Sequence, residues 1–237
     1  HVKKFDKLFG GDYKKYDQKL PSQLIITAFN ILISIAKHCN YTKEDIAIME
    51  AMVADIVYAY IAINGDLVSL NSGTHISGNS LTVIVNGICG SLNLRAAFYA
   101  HNPWNMKFRD NVALMTYGDD NLGSKSDNCN FSIILASKFL EKYGQTYTMP
   151  NKTSELSEYL ESEDFEFLKR STVYIPEIDC HVGALQLDSI YKSLHMYLRG
   201  KQCENSEEEA CALNLDTAMR ELFNHGRKVY EEQRVLL

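Results

Sequence analysis

The segment around Gly118 constrains the fold of this chain more than any other, because Gly118, Asp119 and Asp120 stand between two apolar stretches. Residues 112–115 are apolar, and a shorter run follows the acids. Glycine and aspartate between such runs are typical of a tight β-hairpin. The hairpin would hold two carboxylates side by side, which is unfavourable unless cations neutralise them. An ordinary Asp-rich turn is the alternative, since turns favour Asp and Gly.

The composition is that of a globular chain. Of the 237 residues, 46% are hydrophobic and 23% are charged, which suffices for one large domain with a full core. No apolar run in the sequence reaches the length of a membrane span. The six cysteines include no Cys-x-x-Cys pair, so reduced thiols in a cytosolic setting are expected rather than a zinc site. The net charge of −6 argues against nucleic-acid binding unless basic residues lie elsewhere.

Hydrophobic periodicity predicts an α+β fold in which helices cover one face of an antiparallel sheet. The predicted strands and hairpins comprise residues 3–11, the hairpin around Asp119, residues 146–149, and a hairpin of 165–170 with 173–176. The predicted helices comprise residues 21–38, 42–60, 81–99, 128–143, 190–198 and 206–237. Thr42 and Asp45 have the form of a capping box for the second helix, and Asn64-Gly65 predicts a turn after it.

Two acidic positions far apart in the sequence could meet in this fold. Asp12 ends the first predicted strand, and Asp119 lies at the tip of the predicted hairpin. If these strands are neighbours in one sheet, their carboxylates converge at one edge. Such oxygens select Mg²⁺ or Mn²⁺, and two ions about 3.5–4 Å apart can activate an attacking oxygen and stabilise a leaving phosphate oxygen. The pattern favours a two-metal phosphoryl-transfer site, whereas two separate surface turns would explain the same residues without chemistry.

Five stretches, taken together and in order, carry a family resemblance. They are Asp12 with Asp17, Ser77-Gly78-Asn79 with Thr82 and Asn86, Tyr117-Gly118-Asp119-Asp120, Lys152, and Phe167-Leu168-Lys169-Arg170. In this order they resemble the palm of the viral RNA-dependent RNA polymerases, most closely the picornavirus-like group. Tyr-Gly-Asp-Asp alone is moderately specific. The full series covers nearly the whole chain and is very specific.

The resemblance implies a catalytic site with two metal ions. Asp12 and Asp119 correspond to the carboxylates that bind two Mg²⁺, for which Mn²⁺ can substitute, and Asp120 corresponds to the supporting acid. The main-chain carbonyl of Tyr13 would add an oxygen ligand. Lys152 corresponds to the general acid that protonates the leaving pyrophosphate, and a solvated loop lysine is the alternative at that position.

The resemblance also implies a nucleotide-binding set. Asp17 corresponds to the residue that recognises the ribose hydroxyls. Ser77 and Asn86 correspond to its partners, and Gly78 belongs to the same loop. Thr82 and Asn86 are four residues apart on one predicted helix, so both side chains could reach one pocket. A polar site for the 2′-hydroxyl rejects substrates that lack it, which predicts selection of ribonucleotides.

The last stretch corresponds to the primer-grip hairpin between palm and thumb. Strand alternation would place Phe167 and Lys169 on one face and Leu168 and Arg170 on the other. Lys169 and Arg170, together with Tyr117, are the candidate residues for binding the primer strand of RNA.

The implied domain organisation is a palm over residues 1–165 with a fingers-derived helical insertion at about 40–65, a palm–thumb hairpin over 166–187, and the start of a helical thumb over 188–237. The implied function is RNA-templated RNA synthesis in viral genome replication and transcription. The implied partners are RNA template and primer, NTPs, the remaining fingers and thumb, and viral replication proteins, at replication complexes in the host cytoplasm.

The sequence begins without an initiator Met, which suggests a fragment of a polyprotein. Basic fingers that precede His1 would account for the acidic net charge, and the fragment alone is expected to be inactive. Two alternatives stay open. A reverse transcriptase-like palm also carries paired Asp at a hairpin, but such enzymes tend to place an aromatic residue near the ribose. A non-catalytic RNA-binding module on a palm-like scaffold is expected to have lost a metal carboxylate.

Overall fold

The computed structural model describes residue 2 and residues 4–69, 74–150, 155–161, 165–197 and 206–236. The chain divides into two compact units, His1–Phe165 and Glu166–Leu237. Over the described ranges, none of the helices combines the length and the apolar character that crossing a bilayer requires. The mixture of helices with antiparallel strands agrees with the predicted α+β class.

The first unit contains helices and strands that alternate irregularly along the chain. Its helices are α1 (Tyr16–Lys19), α2 (Ser22–His38), α3 (Lys43–Val57), α4 (Thr82–His101), α5 (Phe108–Asn111) and α6 (Ile133–Glu141). Its strands are β1 (Lys7–Tyr13), β2 (Tyr60–Ile63), β3 (Asp66–Ser69), β4 (Val112–Tyr117), β5 (Asp120–Lys125) and β6 (Tyr147–Thr148).

Helix α3 begins where the sequence predicts, because Thr42 and Asp45 form the capping box. Thr42 Oγ1 accepts a 3.1 Å hydrogen bond from the Asp45 N–H, and the Asp45 carboxylate accepts one of 3.0 Å from the Thr42 N–H. The sequence predicts a helix that continues to Tyr60, but Tyr60 begins β2, which pairs with β3 across Asn64-Gly65. These two turn residues have φ of 52° and 96°, as a two-residue type I′ hairpin requires. The predicted turn is confirmed.

A four-stranded antiparallel sheet with the order β4-β5-β1-β6 carries the candidate acids. Strand β1 lies inside the sheet, and its pairing with β5 runs from Lys7 opposite Lys125 to Gly11 opposite Asn121. The strand extends to Tyr13, further than the predicted 3–11. Asp12 therefore belongs to the strand and is held by pairing on the β6 side.

Helices α4 and α6 cover one face of this sheet, α2 packs on α4, and α3 packs on α2. The core includes Phe9 of β1, whose ring meets Phe131 edge-on at 5.1 Å, and Phe98 of α4, whose ring centroid lies 6.3 Å from Phe131. Helix α6 is shorter than the predicted 128–143. It begins after Ser132, whose hydroxyl accepts a hydrogen bond from the Leu135 N–H and so caps the helix at that point.

The second unit consists of a hairpin followed by helices. Its elements are β7 (Arg170–Ile175), β8 (Cys180–Leu185), α7 (Leu187–Leu194), α8 (Glu207–Phe223) and α9 (Arg227–Leu236). Its core includes Ile190, Ala218 and Leu222, which join α7 to α8. Ser206 and Glu209 form a capping box that starts α8.

The predicted hairpin of 165–170 with 173–176 is wrong. Strand β7 pairs with β8, from Arg170 opposite Leu185 onward. Phe167 and Arg170 exchange two backbone hydrogen bonds of 3.0 Å, and between them Leu168 and Lys169 have φ of 54° and 58°. These residues form a tight two-residue turn, so strand alternation does not apply to them. Their apolar and polar pattern resembles a strand because the pattern carries no information on the sign of φ.

Candidate functional site

The acid-bearing hairpin has a two-residue loop. Tyr117 pairs with Asp120, and Gly118 and Asp119 form the turn between them. Gly118 has φ of +63°, while Asp119 is not among the residues with positive φ. A left-handed first position occupied by glycine is the requirement of a type II′ turn, whose twist suits a β-hairpin. The turn projects Asp119 into solvent and leaves Asp120, the first residue of β5, half-buried.

The register of β1 and β5 brings two of the predicted acids together. Their last pair is Gly11 with Asn121, so one further step along each strand places Asp12 beside Asp120. Directly opposed residues of antiparallel strands have Cα atoms about 4.5–5.5 Å apart and point to the same face. The two acid-bearing strands are therefore neighbours, as convergence of the acids requires. Tyr117, which is 52% exposed, pairs with Asp120 and belongs to this same face.

Asn121 joins the hairpin to β1 from the opposite face, and the sequence argument missed it. It is buried, and its Nδ2 donates to the Gly11 carbonyl at 2.9 Å and to the Asp119 carbonyl at 3.2 Å. Its Oδ1 accepts a 2.6 Å hydrogen bond from the Tyr147 hydroxyl. One carboxamide thus holds the turn that carries Asp119 against the strand that carries Asp12. An amide directly after two acids is the signal that could have pointed to it.

Tyr147 of β6 lies beneath the acids. Burial raises the pKa of its hydroxyl well above the ordinary value, and the negative charges of Asp120 and Asp12 add to the effect. Its ring lies against β1 at Gly11, where an added Cβ would collide with the ring. The glycine at this position therefore permits the contact that supports the acids.

Tyr16 is a second buried phenol near the acids, and its ring centroid lies 4.5 Å from that of Tyr13, which also lies 4.8 Å from the ring of Tyr147. Its hydroxyl donates to the Asn86 carbonyl at 2.8 Å. Burial is the largest cause of a pKa well above the ordinary value for this hydroxyl, and the negative charges of Asp119 and Asp17 raise the pKa further. Asp119 and Asp17 thus both act electrostatically on one buried phenol. Sequence reasoning did not single out Tyr16, since a tyrosine between two predicted elements carries no signal of burial.

The residues of the predicted nucleotide-binding set fall into contacting pairs. Ser77 Oγ donates to Asp17 Oδ2 at 2.9 Å. Asn86, on α4 and buried, has its Oδ1 2.7 Å from a ring nitrogen of His75. Thr82 donates from its hydroxyl to the Ile76 carbonyl at 3.0 Å, which supports the loop.

Gly78 in this loop has φ of +96°, a conformation that L side chains rarely adopt. Glycine is therefore the residue that lets the chain turn from the Ser77 position into α4. The structure brings the loop, Asp17 and the start of α4 together, as a nucleotide-binding set requires.

The predicted metal ligands fit a hard cation in type, because each supplies oxygen. Among the residues that the structure describes, however, no three or more His, Cys, Asp or Glu side chains form a group that could hold a metal ion. Asp12 and Asp120 share a face, whereas Asp119 occupies the turn and points into solvent. Like charges repel, which favours separated carboxylates in the protein chain alone. Tyr13 has a buried side chain, and its main chain pairs with Tyr147.

The remaining predicted residues lie elsewhere. Lys152 falls outside the described residues. Lys169 lies in the tight turn that precedes β7. Arg170 makes two hydrogen bonds of 2.8 and 2.6 Å to the Glu221 carboxylate and one to the Gly183 carbonyl. Its guanidinium is thus engaged within the second unit.

Comparison with known proteins gives a consistent result. The family model described as "Viral RNA-dependent RNA polymerase" matches residues 1–234. The replicase polyprotein of Drosophila C virus (strain EB) is 28% identical over 96% of this chain and 14% of its own length. The replicase polyprotein of cricket paralysis virus is 27% identical over 97% of this chain and 14% of its own length. The RNA1 polyprotein of cherry rasp leaf virus is 30% identical over 94% of this chain and 10% of its own length.

The chain thus spans a small part of the length of these curated relatives, 14% of the first two. The match to the family model, by contrast, covers nearly all of this chain. Since the hairpin with its two acids lies inside the matched residues, the chain belongs to the viral RNA-dependent RNA polymerase family.

Proposed function

We propose that this chain is the catalytic palm and the start of the thumb of an enzyme that adds nucleotides from NTPs to an RNA 3′-hydroxyl, directed by an RNA template. The observation that carries the proposal is the register of β1 and β5, which places Asp12 beside Asp120 next to the turn of Asp119. Membership of the polymerase family supports the same chemistry. In this proposal residues 1–165 are the palm, with a fingers-derived insertion over 40–65, 166–187 the palm–thumb hairpin and 188–237 the thumb portion.

The acids would hold two Mg²⁺, for which Mn²⁺ can substitute. Asp12, Asp119 and Asp120 would supply carboxylate oxygens and Tyr13 its carbonyl, a donor set that suits these ions. When bound, the ions would lower the pKa of the attacking hydroxyl and would stabilise charge on the leaving phosphate oxygen. The protein contributes fixed positions for the acids, since Asn121 bonds the carbonyls of Gly11 and Asp119.

The contact between Ser77 and Asp17 supports a ribose-binding role for the second set. A carboxylate that one hydroxyl holds in place retains acceptor capacity for the hydroxyls of a sugar. Asn86, on the first turns of α4, would complete the set, while Gly78 and Thr82 shape the loop. A dNTP leaves this polar site partly unpaired, which is unfavourable. The site therefore selects ribonucleotides.

RNA and the rest of the polymerase are the proposed partners. Tyr117 on the acid face and Lys169 in its turn would contact the primer strand, and Lys152 would protonate the leaving pyrophosphate. Because Arg170 pairs with Glu221, its proposed role is to stabilise the hairpin. It would support RNA binding indirectly, by fixing the position of the neighbouring Lys169. Basic fingers belong to the proposal because the acidic net charge requires positive charge from elsewhere. Other viral replication proteins are further proposed partners, and the host cytoplasm is the proposed location.

The test is Asp119→Asn in the full-length polymerase, measured as NTP incorporation on a primed RNA template. We expect a loss of roughly 100-fold or more, the scale for removing a group that stabilises transition-state charge. Asp127→Asn is the matched control, since Asp127 is 81% exposed and pairs with Lys7 at the far end of β1. Equal activity of Asp119→Asn and the control would refute the proposal. A preference of the unmodified enzyme for dNTPs would instead favour a reverse transcriptase-like palm.

A further inference from the structure

His75 connects the two chain segments that carry the proposed ribose-binding residues. It is only 1% exposed, and it precedes Ser77 by two residues. Its backbone N–H donates to the Asp17 carbonyl at 2.8 Å. Its ring Nδ1 lies 2.7 Å from Asn86 Oδ1. One buried residue therefore contacts the segment of Asp17 through its main chain and the side chain of Asn86 through its ring.

The chemistry of the ring contact orients Asn86. A carboxamide oxygen can only accept, so this contact requires the tautomer in which His75 Nδ1 carries the proton. The other tautomer would place the proton on Nε2, which has no hydrogen-bond partner within the described part of the chain. With Oδ1 engaged, both N–H bonds of Asn86 Nδ2 point away from the imidazole. In the Nδ1-protonated tautomer, reversing the carboxamide would place an N–H against the Nδ1 proton. The ring thus selects one of the two orientations in which Asn86 can present its polar atoms.

The other ring nitrogen indicates that His75 acts through this one contact. Nε2 is buried and makes no hydrogen bond within the described part of the chain. A histidine held in place for packing alone would be replaceable by an apolar side chain, and a buried nitrogen without a partner is unfavourable. The bond from Nδ1 to Asn86 is therefore the contact that accounts for a histidine at this position.

We propose that His75 is a positioning residue for nucleotide selection, which holds the Asn86 carboxamide in the orientation that meets the ribose. This inference rests on the proposed function, because it assigns a role within the same nucleotide site. His75 does not touch the substrate. It acts through Asn86, and its backbone bond to Asp17 keeps the two halves of the set in one place.

The experiment compares His75→Asn with His75→Leu in the full-length polymerase. The amide nitrogen of Asn occupies the place of imidazole Nδ1 and retains the donor, whereas Leu fills the space without one. The readout is kcat/KM for ATP and for dATP on the same primed RNA. We expect His75→Leu to lower the ATP/dATP ratio roughly tenfold, at the low end of the 10- to 100-fold effect of losing a group that orients a functional side chain. His75→Asn should restore most of the ratio.

A double-mutant cycle tests whether the effect passes through Asn86. In an Asn86→Ala background, His75→Leu should change the ratio no further, because the carboxamide that it orients is gone. Equal losses for ATP and dATP in His75→Leu, an additive cycle, or no rescue by His75→Asn would each overturn the inference. If His75→Leu fails to fold, His75→Gln replaces it, since its amide reaches the Nε2 position. Discrimination must then be kept in His75→Asn and lost in His75→Gln.

Failure of this inference can be distinguished from failure of the proposed function. If His75 has no positioning role, the variants still incorporate nucleotides and the ratio does not move. If the proposed function is wrong, the unmodified protein shows no templated incorporation or Asp119→Asn has no effect.

Discussion

The Tyr147 hydroxyl donates a 2.6 Å hydrogen bond to Asn121 Oδ1, and this contact orients the side chain that joins the two acid-bearing strands. With Oδ1 engaged, Nδ2 is directed at the carbonyls of Gly11 and Asp119. The tyrosine is fully buried and belongs to β6, on the far side of β1 from the hairpin. Three strands thus contribute to the position of the turn that carries Asp119.

Replacing Asn121 by Leu removes both donors and the acceptor while keeping a similar volume. The Tyr147 hydroxyl and the Gly11 carbonyl lose their partner in the core, and each unpaired buried group costs about 1–3 kcal/mol. We expect a lower midpoint of thermal unfolding and a loss of nucleotide incorporation in the full-length polymerase. Asn128→Leu, at an exposed position near the end of β5, is the control and should change stability by less than about 0.5 kcal/mol. Equal effects of the two changes would contradict the role of Asn121.

Two glycine-to-alanine changes should act in opposite directions. At Gly11 the added Cβ meets the ring of Tyr147, so the ring must shift and stability should fall by about 1–3 kcal/mol. At Gly87, inside α4, the nearest atom to an added Cβ is Thr116 Oγ1 at an ordinary 3.5 Å. Alanine is the better helix former by about 0.8–1.0 kcal/mol, so Gly87→Ala should stabilise. The midpoint of thermal unfolding, measured for both variants, tests these expectations. A Gly11→Ala variant with an unchanged midpoint would show that the close packing of Tyr147 is not required.

The tight turn before β7 allows stability to be separated from RNA binding. Leu168 and Lys169 both have positive φ, which costs roughly 1–2 kcal/mol for an ordinary residue and less for Asn. Leu168→Asn should therefore stabilise the hairpin and leave RNA affinity unchanged. Lys169→Asn should also stabilise the hairpin but weaken primer–template binding. The negative slope of log binding constant against log salt concentration should become shallower by about 1. An unchanged slope in Lys169→Asn would show that this lysine does not contact phosphate.

The ion pair of Arg170 with Glu221 predicts a loss of stability in acid. The hydrogen bonds from Arg170 lower the pKa of the Glu221 carboxyl below its ordinary value. A carboxyl whose pKa is lower in the folded state stabilises the fold above its unfolded pKa, and this stability is lost as the pH falls through the folded pKa. Hydrogen-exchange protection of α8, corrected for the intrinsic rate, should thus fall below about pH 4.3.

Glu221→Gln should reduce this dependence on pH and lower the protection already at neutral pH. Glu177→Gln removes an exposed carboxyl from the same unit and should keep the dependence of the unmodified protein. The same acid-induced loss in Glu221→Gln and in the unmodified protein would assign the effect to other groups. Because both partners are partly exposed, the change should be modest.

Local features of the fold could be read from the chain because short-range geometry decides them. The capping box of Thr42 with Asp45 and the turns at Asn64-Gly65 and Gly118-Asp119 depend on the residues at those positions and their immediate neighbours. The predicted hairpin of 165–170 with 173–176 is wrong because its residues give no such local signal. Its turn has Leu168 and Lys169 in a conformation that those residues rarely adopt, so no local signal predicts it.

The supporting residues of the site could not be predicted in the same way. Asn121, Tyr16, Tyr147 and His75 are an amide, two phenols and an imidazole without a spacing that marks them. Each matters because of a contact with a residue far away in sequence, as when Tyr147 bonds Asn121. Burial and partner are properties of the packed sheet and helices, and the order of residues does not state them.

From the chain alone came the candidate acids, the hairpin that carries two of them and the family resemblance. These depend on residue type and near-neighbour spacing. Only the tertiary structure pairs β1 with β5 in the register that sets Asp12 beside Asp120. It also provides the hydrogen bond from Asn121 to the Asp119 carbonyl. Strand register is a choice between alternatives that differ in which side chains are buried, and burial of the whole core by α4 and α6 settles that choice.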